Sequence, residues 1–289
     1  MVKCNFCNEE VERLEISHII PKFIYKWLKD TSTIKRMRSS VNPNKPAQDG
    51  YKIPFLCKKC ESNFSQYEKY FSENIFKPFI DSNDITIFKN IDFAKINKFI
   101  SSLIWRVAKY SINNPELNGN YKKDEIKLFN TYTNDIQENY NLNTKINFNT
   151  YFIPLTEEFA KKNIFQNIDF VYFERSIAMD FIIFDNYNGV ASVIIKFPFM
   201  LIVCEYISSR HQEWQGFKIN EGKFEYSKEY KIPQYINYFI EFDKNRHYSI
   251  MEDLPKHQLD DIIKKAKDMK ETDGTYKAKL KNYNHGIFL

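Results

Sequence analysis

Glycine, long apolar runs and cysteine are all scarce in this chain of 289 residues, and each scarcity excludes a class of protein. A membrane-spanning helix needs about 18 or more consecutive apolar residues. The most apolar segment, residues 190–207, contains Lys196, Pro198 and Glu205, and it predicts paired strands instead. We therefore expect no membrane partner. Since no signal-peptide pattern is present either, we expect cytoplasmic localisation.

The seven glycines form no phosphate-binding loop and no Gly-x-Ser-x-Gly turn, and a zinc-deaminase signature is also missing. The sequence thus gives no sign of a P-loop nucleotidase, an α/β-hydrolase or a deaminase. Aromatic residues are abundant, with 26 Phe and 19 Tyr. These residues supply apolar area for a packed core.

The five cysteines are few but unevenly placed. Four of them form two Cys-x-x-Cys pairs, Cys4 with Cys7 and Cys57 with Cys60. Without an export signal, this spacing predicts a tetrahedral structural Zn²⁺ site and not disulfides. Such a zinc ion often does no more than stabilise the fold of a small domain. Cys204 stands alone in an apolar run, and we expect it to be buried.

The positive charge is concentrated in the cysteine region. Residues 1–80 contain 14 Lys and Arg against 9 Asp and Glu, whereas the remainder contains 28 of each. Four thiolates with one Zn²⁺ remove about two of these positive charges, so the region stays mildly basic. This balance is compatible with a phosphate-backbone partner but does not establish one.

Residues 1–80 are predicted to form a zinc module. We expect a first cysteine knuckle on a hairpin and a second at a helix N-terminus, which together define a treble-clef finger. The predicted elements are a strand or hairpin at Val11–Ile20, helices at Lys22–Lys29 and Glu61–Glu73, and a long basic loop at Thr31–Asp49.

The rest of the chain predicts a helical segment at residues 81–145 and a β-rich domain at residues 146–289. Helices are expected at Phe93–Tyr110, Lys122–Tyr140 and Leu254–Lys267, the last closing the domain, with a loose tail from Glu271. Strands are expected at Tyr151–Leu155, Asp169–Arg175, Phe181–Asp185, Val190–Phe197, Met200–Tyr206 and Phe217–Tyr226, with a hairpin turn at Asn186–Gly189. The predicted fold class is α+β.

His18 lies between the two cysteine pairs, in the segment Ser17-His18-Ile19-Ile20-Pro21. A histidine with an ordinary pKa of about 6.5 suits a general base that activates water beside a metal ion. The alternative is a histidine that only caps a strand or fills the surface of the zinc module. Sequence alone leaves both interpretations open.

The order Cys-x-x-Cys, Ser-His-Ile-Ile-Pro, Leu-Cys-x-x-Cys resembles the HNH endonuclease family, whose ββα-metal core is a treble clef. The resemblance covers residues 1–80, about a quarter of the chain. It implies that His18 is the general base. The position before this histidine is usually Asp or His and binds the catalytic metal, but here it is Ser17. The position after the last cysteine is usually Asn, but here it is Glu61.

Carboxylates are good ligands for hard cations, so the resemblance implies a catalytic Mg²⁺ or Mn²⁺ held by Glu61. Asn63, Glu68 or Asp49 would complete the site. Six cationic residues are candidates for binding DNA phosphates: Lys35, Arg36, Arg38, Lys45, Lys58 and Lys59. The alternative for the basic loop is a solvated surface without a partner.

We therefore expect a metal-dependent endonuclease that hydrolyses DNA phosphodiester bonds, by analogy an anti-phage or restriction-type effector. Its C-terminal domain would respond to an activating ligand or partner. The alternative is a non-catalytic zinc module that binds nucleic acid or a protein. A third hypothesis is a regulatory protein in which the finger forms a homodimer and the β-rich half binds a small ligand.

Overall fold

A computed structural model describes residues 1–32, 34–39, 44–114, 121–142, 148–184, 190–208, 213–220, 223–224, 227–252, 254–267 and 270–287. The hairpin turn expected at Asn186–Gly189 lies outside these residues. Within them the chain is a mixture of helices and β-strands, so a mixed α and β fold is confirmed. No described helix is long and apolar enough to cross a membrane.

The described part of the N-terminal region contains three short antiparallel strand pairs and two helices. Strand β1 pairs with β2, β3 with β6, and β4 with β5. The β4–β5 pair forms a short hairpin inside the segment expected to be a loop. The elements are β1 (Val2–Lys3), β2 (Glu10–Val11), β3 (Glu15–His18), α1 (Lys22–Asp30), β4 (Met37–Arg38), β5 (Pro46–Ala47), β6 (Lys52–Leu56) and α2 (Lys58–Phe71).

The helical middle of the chain is built around α4 (Phe93–Asn113), whose apolar face is almost entirely buried. Before it, α2 continues through a π-helical turn at Ser72–Phe76 into α3 (Lys77–Ser82), and a 3₁₀ helix follows at Ile85–Asn90. Asp92 caps α4 by accepting a hydrogen bond from the Lys95 amide. Helix α5 (Lys123–Leu142) packs against α4.

Six described strands form an antiparallel sheet in the order β12-β11-β7-β10-β9-β8. They are β7 (Asn149–Pro154), β8 (Ala178–Phe184), β9 (Val190–Phe197), β10 (Met200–Ile207), β11 (Lys218–Asn220) and β12 (Lys223–Phe224). Pro198 lies in the tight turn between β9 and β10, where Phe197 and Met200 are paired. A proline without an amide hydrogen ends the strand there, as expected. Cys204 is fully buried in β10, also as expected.

Helices cover more of the C-terminal half than the sequence predicted. They are α6 (Glu157–Lys161), α7 (Phe170–Arg175), α8 (Gln234–Glu252), α9 (Lys256–Ala266) and α10 (Gly274–Asn284). The prediction of a strand at Asp169–Arg175 is wrong, because Asp169 accepts hydrogen bonds from the Val171 and Tyr172 amides and starts a helix. The loose tail predicted after Glu271 is also wrong, since α10 packs against α7 there.

One continuous apolar core connects the N-terminal region to the sheet. Buried residues of this core run from Cys4 in the first knuckle to Ile240 in α8. Trp27 of α1 contacts Phe199 with ring centroids 5.9 Å apart, and Phe71 of α2 contacts Phe197 at 6.4 Å. The cysteine region therefore packs on the same apolar core as the six-stranded sheet.

Candidate metal centre and histidine site

The four paired cysteines converge on one point. Cys4, Cys7, Cys57 and Cys60 place their Sγ atoms within 4.8 Å of one another. A tetrahedron with Zn–S bonds of about 2.3 Å has S···S edges of about 3.8 Å. The Cys7 and Cys57 sulfur atoms are 3.7 Å apart, so the cluster can hold a structural metal ion such as zinc.

Local structure prepares these thiols to act as ligands. The Cys57 amide donates to Cys4 Sγ at 3.2 Å, and the Cys60 amide donates to Cys57 Sγ at 3.5 Å. A hydrogen bond from Cys60 lowers the pKa of Cys4 to about 4, and the neighbouring Cys4 together with burial raises the pKa of Cys60 far above its ordinary value. Thiolates crowded this closely repel one another, and a bound divalent cation removes that repulsion.

Aromatic side chains fix the cluster against the helical scaffold. Phe6, between the first two cysteines, contacts Phe64 of α2 at 4.8 Å and Trp105 of α4 at 4.9 Å, both edge to face. Edge-to-face pairs at these distances stabilise by about 0.5–1.5 kcal/mol beyond their burial. The cysteine cluster, at the end of β6 and the start of α2, is thereby packed against α4.

Ser17 and His18 are the last residues of β3, opposite Ile53 and Lys52 of β6. Pro21 then starts α1, so the chain turns sharply after the histidine. The imidazole is half-buried, and its Nε2 lies 2.9 Å from Asp49 Oδ1. A short strand between two packed elements leaves this ring little freedom.

Asp49 is a strong acceptor for the imidazole. Its Oδ1 also accepts the Gly50 amide at 3.0 Å, and its Oδ2 lies 3.0 Å from Lys52 Nζ. Partial burial acts to raise its pKa, but the hydrogen bonds from His18, Lys52 and Gly50 outweigh burial and hold the pKa of Asp49 well below its ordinary value. An ionised Asp49 can only accept a hydrogen bond, so the proton of a neutral His18 is on Nε2 and the lone pair is on Nδ1.

Ser17 is fully buried and donates a hydrogen bond of 2.5 Å from its hydroxyl to Glu61 Oε2. Glu61 is in the first turn of α2, directly after the last cysteine of the cluster. The two residues that depart from the HNH pattern are therefore direct partners. One carboxylate oxygen of Glu61 is bound to Ser17.

Arg106 of α4 binds the backbone carbonyl of His18. This side chain is 1% exposed, and its Nη1 donates to the carbonyl oxygen of His18 at 2.9 Å. Its Nη2 forms an ion pair of 2.5 Å with Glu68 Oε1 of α2. Glu68, one of the candidate metal ligands, is thus engaged by a buried cation. Through these two contacts Arg106 connects α4 with α2 and with β3.

Asn63 is on the side of α2 opposite Glu61. It is exposed on α2, and its Oδ1 accepts from Gln66 at 2.8 Å and from Tyr140 at 3.5 Å. It is two residues beyond Glu61, which places it about 200° around the helix. Apart from the four cysteines, the described residues contain no group of three Cys, His, Asp or Glu side chains close enough to share a metal ion.

The predicted cationic residues lie on two surfaces. Lys35, Arg36, Arg38 and Lys45 are on or beside the β4–β5 hairpin, and all but Arg38 are exposed. Lys35 donates to the Asp30 carbonyl, and Arg38 Nη1 donates to Gln258 of α9 at 2.9 Å. Lys58 and Lys59 are exposed at the start of α2, where Lys59 lies 3.6 Å from Glu9.

Sequence reasoning undervalued two residues of this site. Arg106 was a single cation within an apolar helix face, which was the signal of a buried ion pair. The sequence suggests Asp49 only as a metal ligand, although an Asp-Gly pair at the end of a polar segment also indicates a turn.

Comparisons with protein-family models, with curated proteins and with solved structures find no match.

Proposed function

We propose that this chain is a metal-dependent endonuclease that hydrolyses DNA phosphodiester bonds. The observation that carries the proposal is the pairing of His18 with the ionised Asp49 on a strand beside the four-cysteine cluster. That pairing leaves one imidazole nitrogen as a base and orients the ring. The order of these residues resembles the HNH endonucleases, and a treble-clef finger is part of the proposal.

In the proposed reaction His18 takes a proton from a water molecule at Nδ1. The water oxygen forms a bond to phosphorus, the bond from phosphorus to the 3′ oxygen breaks, and the leaving oxygen takes a proton from solvent. When bound, a cation of the Mg²⁺ or Mn²⁺ class supplies charge stabilisation for that leaving oxygen. We assign Glu61 to hold this cation, with Ser17 positioning the carboxylate by its hydrogen bond.

The metal assignment is tested by cleavage of a supercoiled plasmid over a titration of Mg²⁺, Mn²⁺ or Ni²⁺. Glu61→Gln removes a charged ligand, and we expect it to raise the metal concentration needed for half-maximal cleavage. Glu73→Gln makes the same change at an exposed position just beyond α2, and as the matched control it should leave that concentration unchanged. An identical titration for Glu61→Gln and the unchanged protein would place the metal elsewhere.

A second candidate function is a non-catalytic zinc module that binds nucleic acid or a protein partner. The Ser17–Glu61 hydrogen bond favours it, because one oxygen of the proposed metal ligand is already engaged. This candidate predicts no cleavage in any metal. Binding to DNA that weakens steeply with salt would then indicate phosphate contacts, whereas a protein interface is less sensitive.

A further inference from the structure

Helix α9 and the β4–β5 hairpin are joined although more than 200 residues of sequence separate them. Arg38 of β4 donates to Gln258 Oε1 of α9 at 2.9 Å, and Gln258 Nε2 donates to the Asn44 carbonyl at 2.9 Å. One glutamine side chain thus bridges two parts of the hairpin. The Gly274 amide at the start of α10 also donates to the Thr31 carbonyl at 2.9 Å.

The contact brings cations of both segments together. Arg36 and Arg38 are two residues apart along the chain, and burial together with the charge of Arg36 lowers the pKa of Arg38. Asp261 of α9 has its pKa lowered first by a hydrogen bond from Lys265, and also by the charges of Arg36 and Lys264. Arg36 and Lys264 are exposed, and the Asp261–Lys265 ion pair is on the surface.

The chain connects the hairpin directly to the histidine site. The segment after β5 leads directly to Asp49, which binds His18 and Lys52. Helix α9 has 11 residues and is therefore about 16 Å long. Residues 254–287 contain 8 Lys and Arg against 5 Asp and Glu, and α9 itself has three lysines against two aspartates, so the segment is mildly basic.

We propose that α9 and the β4–β5 hairpin form one surface that binds the phosphate backbone of duplex DNA and leads it towards His18. Lys264 and Lys265 contribute from α9, and Arg36 and Arg38 contribute from the hairpin. This inference rests on the part of the proposed function that assigns DNA as the partner. It gives a role to a helix far from the resemblance to HNH endonucleases.

The test is a fluorescence anisotropy titration of a labelled DNA duplex with the full-length protein between about 50 and 200 mM salt. Each lost phosphate contact reduces the slope of log affinity against log salt by about 1. We expect Lys264→Gln/Lys265→Gln to reduce it by about 2. The control Lys123→Gln/Lys127→Gln removes the same charge from α5 and should leave the slope unchanged.

A variant of opposite sign completes the test. Asp261→Asn removes the negative charge among these cations, so we expect it to tighten DNA binding. If the unchanged protein binds DNA but the α9 pair loses no more slope than the α5 pair, the composite surface is overturned while DNA remains the partner. If the unchanged protein does not bind duplex DNA at low salt, the proposed function fails together with this inference.

Discussion

Asp49 determines which nitrogen of His18 carries a proton. Its carboxylate is held ionised by the Gly50 amide and by Lys52, and it lies 2.9 Å from Nε2. A neutral histidine bound in this way has one defined tautomer and one defined ring position. The sequence identified His18, but the partner 31 positions away depends on how the β4–β5 hairpin returns to β6, and local patterns carry no information about that.

Asp49→Asn should therefore lower the cleavage rate at neutral pH. The amide accepts a hydrogen bond less strongly and can donate one, so the tautomer and orientation of His18 are no longer fixed. Loss of an oriented base lowers kcat by about 10²-fold or more. Single-turnover cleavage at saturating protein measures this rate. The control Asp30→Asn removes an exposed carboxylate that pairs with Lys26, and it should cleave normally; an unchanged rate in Asp49→Asn would remove Asp49 from the site.

At the scale of elements, Arg106 joins α4 to α2 and β3 through a buried ion pair and the His18 carbonyl. Removing one partner of a buried pair costs about 3–5 kcal/mol, and because Glu68 is 19% exposed the loss here should be near the lower end of that range. We expect Arg106→Met to lower the free energy of unfolding by that amount in urea denaturation. Lys109→Met on the same helix should change the free energy of unfolding by less than about 0.5 kcal/mol. Equal losses in the two variants would mean that the contacts of Arg106 with Glu68 and His18 do not stabilise the fold.

Lys196 provides a second test at this scale. It is fully buried in β9, and its Nζ donates to the carbonyls of Phe173 and Ser176, both at 3.0 Å. Burial lowers the pKa of Lys196 to about 7. Between this value and the ordinary pKa of about 10.4, the unfolded chain binds more protons than the folded one, so this residue makes stability rise with pH.

Urea denaturation at several pH values between about 7 and 10 measures this dependence. Relative to Lys196→Met, the unchanged protein should gain up to about 1.4 kcal/mol of unfolding free energy per pH unit. Comparing the two proteins removes contributions from tyrosines and thiols that titrate in both. Parallel stability curves would show that Lys196 keeps an ordinary pKa in the folded protein.

Elements with strong periodicity could be predicted from the sequence, and those decided by tertiary contacts could not. Helix α1 begins at Lys22 and helix α4 begins at Phe93, as the sequence predicts. The sequence predicts a strand where α7 forms, because Phe170–Arg175 is short and rich in aromatic residues. Its N-cap Asp169 was the missed signal. The sequence of α8 is also rich in aromatic and β-branched residues, so its pattern does not indicate a helix. The segment of α10 is rich in lysine and predicts a loose tail instead.

At the scale of the whole molecule, the N-terminal cysteine region and the sheet share one core, and three of the four clustered cysteines belong to it. Four crowded thiolates repel one another unless a cation lies among them, so a metal ion bound there would contribute directly to folding. The four cysteines could be found from spacing alone. Their packing on α4 through Phe6 and Trp105 could not, since those residues are about 100 positions apart.

Removing the metal should therefore lower the melting temperature of the entire protein. We expect a chelator to reduce Tm by about 10 °C or more, because each kcal/mol changes Tm by about 2–4 °C in a chain of this size. Cys57→Ser should already melt at the lower temperature, and the chelator should then add nothing. A chelator that leaves the Tm of the unchanged protein unaltered would contradict a structural metal.

Cleavage of plasmid and single-stranded DNA by purified protein with Mg²⁺ or Mn²⁺, measured beside His18→Ala, tests the central claim most directly. We expect the unchanged protein to cut and His18→Ala to cut at least about 10²-fold more slowly, as loss of a general base requires. His285→Gln, at the end of α10 where His285 pairs with Glu157, should cut normally. Equal cutting by His18→Ala and the unchanged protein would contradict the assignment of His18 as the base.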